Sequence, residues 1–202
     1  MEHDHFHFYT DKLDDRFLGI MKRNVDMYSL KERTGFLRLY TRKEVIGKKE
    51  NASYLGVRQK SYRFSVSAGV EFTPAKMNET AGLVLYQNHE NHLRMEIIKT
   101  AFGRSFRTMA YIHGKEQVIS ELVLEQKGLL DIQLRASEQK AEVWIAEGDN
   151  LKMAAKNIDL LPYTTEEAGG FVGCTVGMYA SSNGTDSKNH ADYAWFSCDK
   201  TE

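Results

Sequence analysis

The chain reads as an all-β protein: a two-sheet antiparallel sandwich of the jelly-roll type. Three observations predict this. Apolar and polar residues alternate with a period of two through several separate segments. Turn-forming residues interrupt those segments about every dozen positions. No long stretch carries the apolar spacing of an amphipathic helix.

The clearest strand holds Phe64, Val66, Ala68, Val70 and Phe72, alternating with Arg63, Ser65, Ser67, Gly69 and Glu71. Leu93, Met95 and Ile97 alternate with Arg94 and Glu96, and Ile132, Leu134 and Ala136 with Asp131, Gln133 and Arg135. Ala141, Val143 and Ile145 repeat the pattern. Each segment offers one apolar face to a core and one polar face outward, as antiparallel sheets with a solvated side require. Phe64, Val66, Val70, Phe72, Leu83, Leu85, Ile132, Leu134, Val143 and Ile145 are therefore the expected core. Between the strands lie turn residues such as His113-Gly114-Lys115, Ser137-Glu138-Gln139 and Ser182-Asn183-Gly184. Pro74 and Pro162 fall where a strand should stop. One sandwich domain over residues 11–199 is expected. Residues 1–10, with His3, His5 and His7, read as a linker or tail.

Composition narrows the partners. The 202 residues are 42% hydrophobic and 11% aromatic, enough for a core in one domain. Basic and acidic residues number 27 and 28, with no block of one sign, so nucleic acid is not an expected partner. No apolar run reaches the ~18 residues of a membrane span. The first eight residues lack the pattern of a signal peptide, which favours a cytoplasmic location. Cys174 and Cys198 read as small buried hydrophobes, with one bridge between them left open for an exported chain.

Motifs for chemistry are missing. The sequence has no G-x-S-x-G, P-loop, G-x-G-x-x-G or H-E-x-x-H. His89-Glu90-Asn91-His92 reads as a solvated turn rather than a metal pair, and Glu166-Glu167 as a solvated loop. No catalytic residue, metal site or cofactor is expected. Tyr86 and Trp144 are the candidates for stacking on a sugar ring, with ordinary sheet packing open for Trp144 as well. Trp195, inside Ala194-Trp195-Phe196, is assigned to the core.

Several short segments, taken in order, resemble the C-terminal concanavalin A-like β-sandwich of glycoside hydrolase family 43 β-xylosidases and α-L-arabinofuranosidases. They are Arg33 to Leu39 (R-x-G-x-L-R-L), Leu55 to Gln59 (L-x-x-R-Q), Phe72-Thr73-Pro74 and Ala81 to Tyr86 (A-G-L-x-x-Y). Phe171-Val172-Gly173 and Ala191-Asp192 complete the series. Two matches depart: Leu13 stands in the opening D-x-F, and Ala194 replaces the second acid of A-D-F-D.

The resemblance implies an accessory domain that packs on a five-bladed catalytic propeller and helps shape a pocket for xylo- or arabino-oligosaccharides. The family's acid pair would lie in that propeller. It also implies that Gly169, Gly170 and Phe171 form a pocket rim or domain interface. For Phe171 an ordinary strand position pointing into the core stays equally open. An independent carbohydrate-binding module is the alternative function.

Overall fold

The computed structural model describes residues 3–170 and 173–201. Among them two antiparallel sheets form. The first runs β12 (Asn150–Asp159), β11 (Lys140–Glu147), β10 (Leu129–Ser137), β5 (Arg63–Glu71), β14 (His190–Lys200), β3 (Leu37–Tyr40) and β2 (Tyr28–Ser29). An eighth strand, β1 (His3–His7), pairs with the later half of β14. The second sheet runs β4 (Ser53–Arg58), β13 (Thr175–Ser181), β6 (Thr80–Asn88), β7 (Asn91–Thr100), β8 (Gly103–Ile112) and β9 (Lys115–Val123). The helical elements among the described residues are two short 3-10 turns and the single-turn α1 (Thr165–Ala168).

The period-two alternation sets the layers. All ten expected core residues are buried, and the inward faces of both sheets merge into one apolar cluster. On adjacent strands Val66 lies opposite Leu134, which in turn lies opposite Val143, so each rung of the sheet adds one apolar residue to the same layer. Burying each such side chain contributes roughly 1.5–3 kcal/mol. Tyr193, fully buried on β14, ties the two sheets together. Its hydroxyl lies 2.8 Å from the carbonyl oxygens of both Gly82 and Tyr179, which face each other across β6 and β13.

Three expectations are corrected. The described part of residues 1–10 is not a tail. The alternation His3-Asp4-His5-Phe6-His7-Phe8 is itself a strand pattern, and it turns Phe6 and Phe8 into the core. Phe6 packs its ring 4.5 Å from that of Phe17, while His5 and His7 face outward.

Trp195 does not enter the core either. A β-bulge between Tyr193 and Trp195 shifts the phase of β14 by one residue. Tyr193 and Phe196 both point inward as a result, and Trp195 is left on the outer face.

His92, expected on a solvated turn, is fully buried. It belongs to β7 and points out of the sandwich, and residues from the segments 18–22 and 41–52 pack on that face. Ile20, Ile46 and Ala52 lie against Tyr54, Val84 and Tyr179, and Gly47 against the Tyr111 ring that stacks on His92. Leu18 exchanges backbone hydrogen bonds with Gly56 of 2.7 and 3.0 Å. Ile46, Ala52, Tyr54, Val84 and Tyr179 form a second apolar cluster.

Both cysteines are free; Cys174 is buried and Cys198 partly so. Among the described residues no helix is long and apolar enough to cross a membrane.

Candidate functional site

The segment after β12 is irregular. Pro162 cannot extend a strand, so a 3-10 turn (Leu161–Tyr163) and then α1 follow Leu160. The chain leaves α1 through Gly169 and Gly170, at φ of +72° and +104°. These conformations strain any residue with a Cβ. Both glycines are exposed, as are Glu166 and Glu167. Phe171 lies outside the described residues.

Side chains from the end of β6 fix this segment. Gln87 Nε2 donates to the Gly169 carbonyl at 3.3 Å, and Asn88 Nδ2 to that of Ala168 at 3.2 Å. A cavity of about 410 Å³ opens beside it, lined by Gln59, Tyr62, Gln87, Leu160, Tyr163 and Cys174 among others. The cavity holds little reactive chemistry. Burial pushes the Cys174 thiol up to about 12, and its S–H points at the Tyr163 carbonyl oxygen 2.8 Å away. Such a thiol stays protonated and is a poor nucleophile. Of the nearby acids, Glu138 is paired with Arg63 at 2.6 Å. Among the described residues no group of three or more His, Cys, Asp or Glu is placed to hold a metal ion.

Tyr86 sits at the same end, one residue before Gln87. It is half-buried within a ladder of rings that crosses the second sheet. Tyr54 lies 5.8 Å and His92 6.0 Å from Tyr86, and Tyr111 stacks on His92 at 4.6 Å. Burial raises the Tyr86 hydroxyl to about 12. Burial, aided by the Arg94 guanidinium, lowers His92 to about 3, so its imidazole is neutral. Arg94 in turn is held by Glu116 at 2.6 Å. The structure does not bring Tyr86 together with Gly169 and Gly170: Tyr86 faces out of the sandwich with Val84, and Gln87 is the residue that reaches the glycines.

Trp144 is not part of this end. It projects from β11 on the outer face of the first sheet, where Nε1 donates to Glu142 at 3.0 Å and the Arg135 guanidinium lies 5.0 Å from the ring centre. Sequence reasoning missed the burial of His92 because it placed that residue on a solvated turn. The available signal was residues 41–52, a long segment without strand pattern that holds Ile46 and has to cover something.

A family model described as the β-xylosidase C-terminal concanavalin A-like domain matches residues 5–199. The chain belongs to this family. A xylosidase/arabinosidase of Butyrivibrio fibrisolvens is 46% identical over 197 residues, which are 98% of this chain and 38% of that protein. A non-reducing end α-L-arabinofuranosidase of Bacteroides ovatus is 31% identical, over 92% of this chain and 36% of its own length. The solved structure of Bacteroides ovatus xyloglucan PUL GH43B superposes with a TM-score of 0.93 at 26% identity, covering 98% of this chain and 39% of that one. A xylan β-1,4-xylosidase of Bacillus halodurans, at 20% identity and a TM-score of 0.89, shares the fold. The domain therefore spans less than two fifths of the curated relatives it matches, as an accessory C-terminal domain of family 43 enzymes does.

Proposed function

We propose that this domain serves a family 43 glycoside hydrolase acting on xylose- or arabinose-containing oligosaccharides, docking on a catalytic propeller outside the chain and helping to bound its substrate pocket. The observation that carries this reading is the coverage: nearly all of the chain matches a little over a third of a xylosidase/arabinosidase. The remainder of such an enzyme is long enough to hold a separate catalytic domain.

The docking end in this reading is the one at Gly169 and Gly170, beside Gln87 and Asn88. Exposed glycines at positive φ let the backbone approach a neighbouring surface closely. A ring carried on that segment, at Phe171, would exclude water from one side of a pocket and limit its length. In this reading the acid and base of glycoside hydrolysis come from the propeller.

The test measures release of nitrophenol from nitrophenyl-β-xyloside and nitrophenyl-α-L-arabinofuranoside. The isolated chain should be inactive. Joined to the catalytic portion of its enzyme it should support turnover, and Phe171→Ala in that assembly should lower kcat/KM about tenfold or more without loss of folding. Turnover by the purified chain alone, abolished by one carboxylate substitution, would overturn the reading.

A further inference from the structure

The chain has two tryptophans, and both lie on the outer face of the first sheet. Two rungs of that sheet define the surface between them. One runs Trp195, Gly69, Asp131, Ala146 and Leu151 across β14, β5, β10, β11 and β12. The next runs Ser197, Ser67, Gln133, Trp144 and Met153 across the same strands. Trp195 and Trp144 thus stand three strands apart, about 14 Å across the sheet. The residues separating them are short or uncharged save for Asp131.

The Trp195 indole reaches across β5 only because residue 69 is glycine. A Cβ there would lie 2.7 Å from indole Nε1 and 3.3 Å from Asp131 Oδ1. Asp131 Oδ1, on the same side of Gly69 as the indole edge, is buried without a hydrogen-bond partner. The other carboxylate oxygen also has no protein donor, but it is open to donors arriving from above the sheet. A half-buried carboxylate without donors is costly unless something from outside supplies them.

Around it the polar groups largely hold one another. The hydroxyls of Ser67 and Ser197 are 2.8 Å apart, and Gln133 Oε1 accepts from Arg135 Nη2 at 2.6 Å. The face therefore combines two aromatic side chains, a low hydroxyl-lined floor and one carboxylate acceptor that lacks a donor.

We propose that this face binds a neutral polysaccharide laid across β14, β5, β10 and β11, with sugar rings against Trp195 and Trp144 and a sugar hydroxyl donating to Asp131. Sugar rings present C–H faces to aromatic rings and hydroxyls at their edges, which is the pattern the face complements. The Asp131 charge disfavours uronic acid polymers. The site lies on the other sheet from Gln87 and Asn88 and does not depend on the docking reading.

Both tryptophans being here, intrinsic tryptophan fluorescence reports on this face alone. Titrating the chain with soluble arabinoxylan should shift the emission and protect it from acrylamide quenching. In affinity electrophoresis the same polymer should retard the chain, whereas polygalacturonate should not. Trp195→Ala and Trp144→Ala should each weaken binding tenfold or more with an unchanged far-UV circular dichroism spectrum. Should Trp195→Ala fold poorly, Asp131→Ala and Gly69→Val, which remove the acceptor and displace the indole, should each weaken it at least threefold. Three results would overturn the proposal. One is absence of any response to arabinoxylan, another is equal binding of polygalacturonate. The third is a fluorescence change produced by the enzyme's catalytic portion and by no polysaccharide, which would make the face a domain contact.

Discussion

Arg38 grips Asp192 with both arms of its guanidinium. Nε donates to Oδ1 at 2.8 Å and Nη2 to Oδ2 at 2.9 Å, across 154 residues of sequence. Arg33 adds a third bond to Oδ2 at 3.1 Å and clasps Glu71 on β5. The first and last motifs of the family resemblance thus meet in one ion-pair network that staples β3, β14 and β5 together. Burial works to raise the Asp192 carboxyl, but the hydrogen bonds from Arg38 and Arg33 prevail and hold it below its ordinary range. Asp192→Ala should cost roughly 2–4 kcal/mol by removing three charge-assisted hydrogen bonds, leaving Arg38 only its contact with Glu32 and Arg33 only its contact with Glu71. Arg38→Lys, which keeps the charge and loses the fork, should cost about half as much. Urea unfolding of both variants measures the difference, and equal costs would show that geometry adds nothing to charge.

A second prediction concerns acid. The folded chain keeps His92 neutral down to about pH 3, against an ordinary value of 6.5. The unfolded chain takes up that proton below about pH 6.5, so the stabilising contribution is complete above this pH. It is lost progressively as the pH falls toward 3. One proton corresponds to a slope of about 1.4 kcal/mol per pH unit. Between pH 6 and 5, where most carboxylates are still ionised, His92→Gln should flatten the pH dependence of unfolding free energy by roughly that amount. An unchanged slope in the variant would mean that His92 is hydrated and protonated in the folded state.

The alternating segments were legible because burial of one strand face forces period two, and nothing in their surroundings competes with it. Phe64 to Phe72 and Ile132 to Ala136 are of this kind. Where a second layer or a bulge intervenes, the pattern misleads. His92, Arg94 and Glu96 look solvent-facing by alternation, yet all three are buried. Trp195 shares the parity of the inward Tyr193, and only the bulge between them separates their faces. The pairing of Arg38 with Asp192 has no local signature at all, since it is made by the topology. Gly169 and Gly170 were singled out by the family resemblance, but their neighbours Gln87 and Asn88 arrive from a strand about 80 residues earlier.

Tyr193 offers a direct test of how the sheets are joined. Its hydroxyl is enclosed between the Gly82 and Tyr179 carbonyls, with no water-exposed surface on the residue. Tyr193→Phe preserves the packing and removes the donor, leaving a buried carbonyl oxygen short of a partner. A cost of roughly 1–3 kcal/mol is expected, with far-UV circular dichroism unchanged. Tyr193→Leu should cost more, because it also opens a cavity between β6, β13 and β14. If Tyr193→Phe is neutral, the hydroxyl does not act as a tie between the sheets.

The last prediction separates the roles of the two faces. Gly170 has no heavy atom closer than 3.8 Å to the position a Cβ would take, so bulk is tolerated there, but its φ of +104° is not one that other residues adopt readily. Gly170→Val should therefore redirect the segment after α1 rather than disturb the core, with a stability change of about 1–2 kcal/mol at most. If the segment bounds a substrate pocket in the assembled enzyme, kcat/KM for short xylo-oligosaccharides should fall about tenfold through misplaced substrate. Binding of arabinoxylan by the isolated chain should stay as it was, since Trp195 and Trp144 stand on the other sheet. Steady-state kinetics of the assembled enzyme and affinity electrophoresis of the chain give the two readouts. Unaltered kinetics in Gly170→Val would place the pocket away from this end. Altered polysaccharide binding would mean that the two faces are coupled through the core.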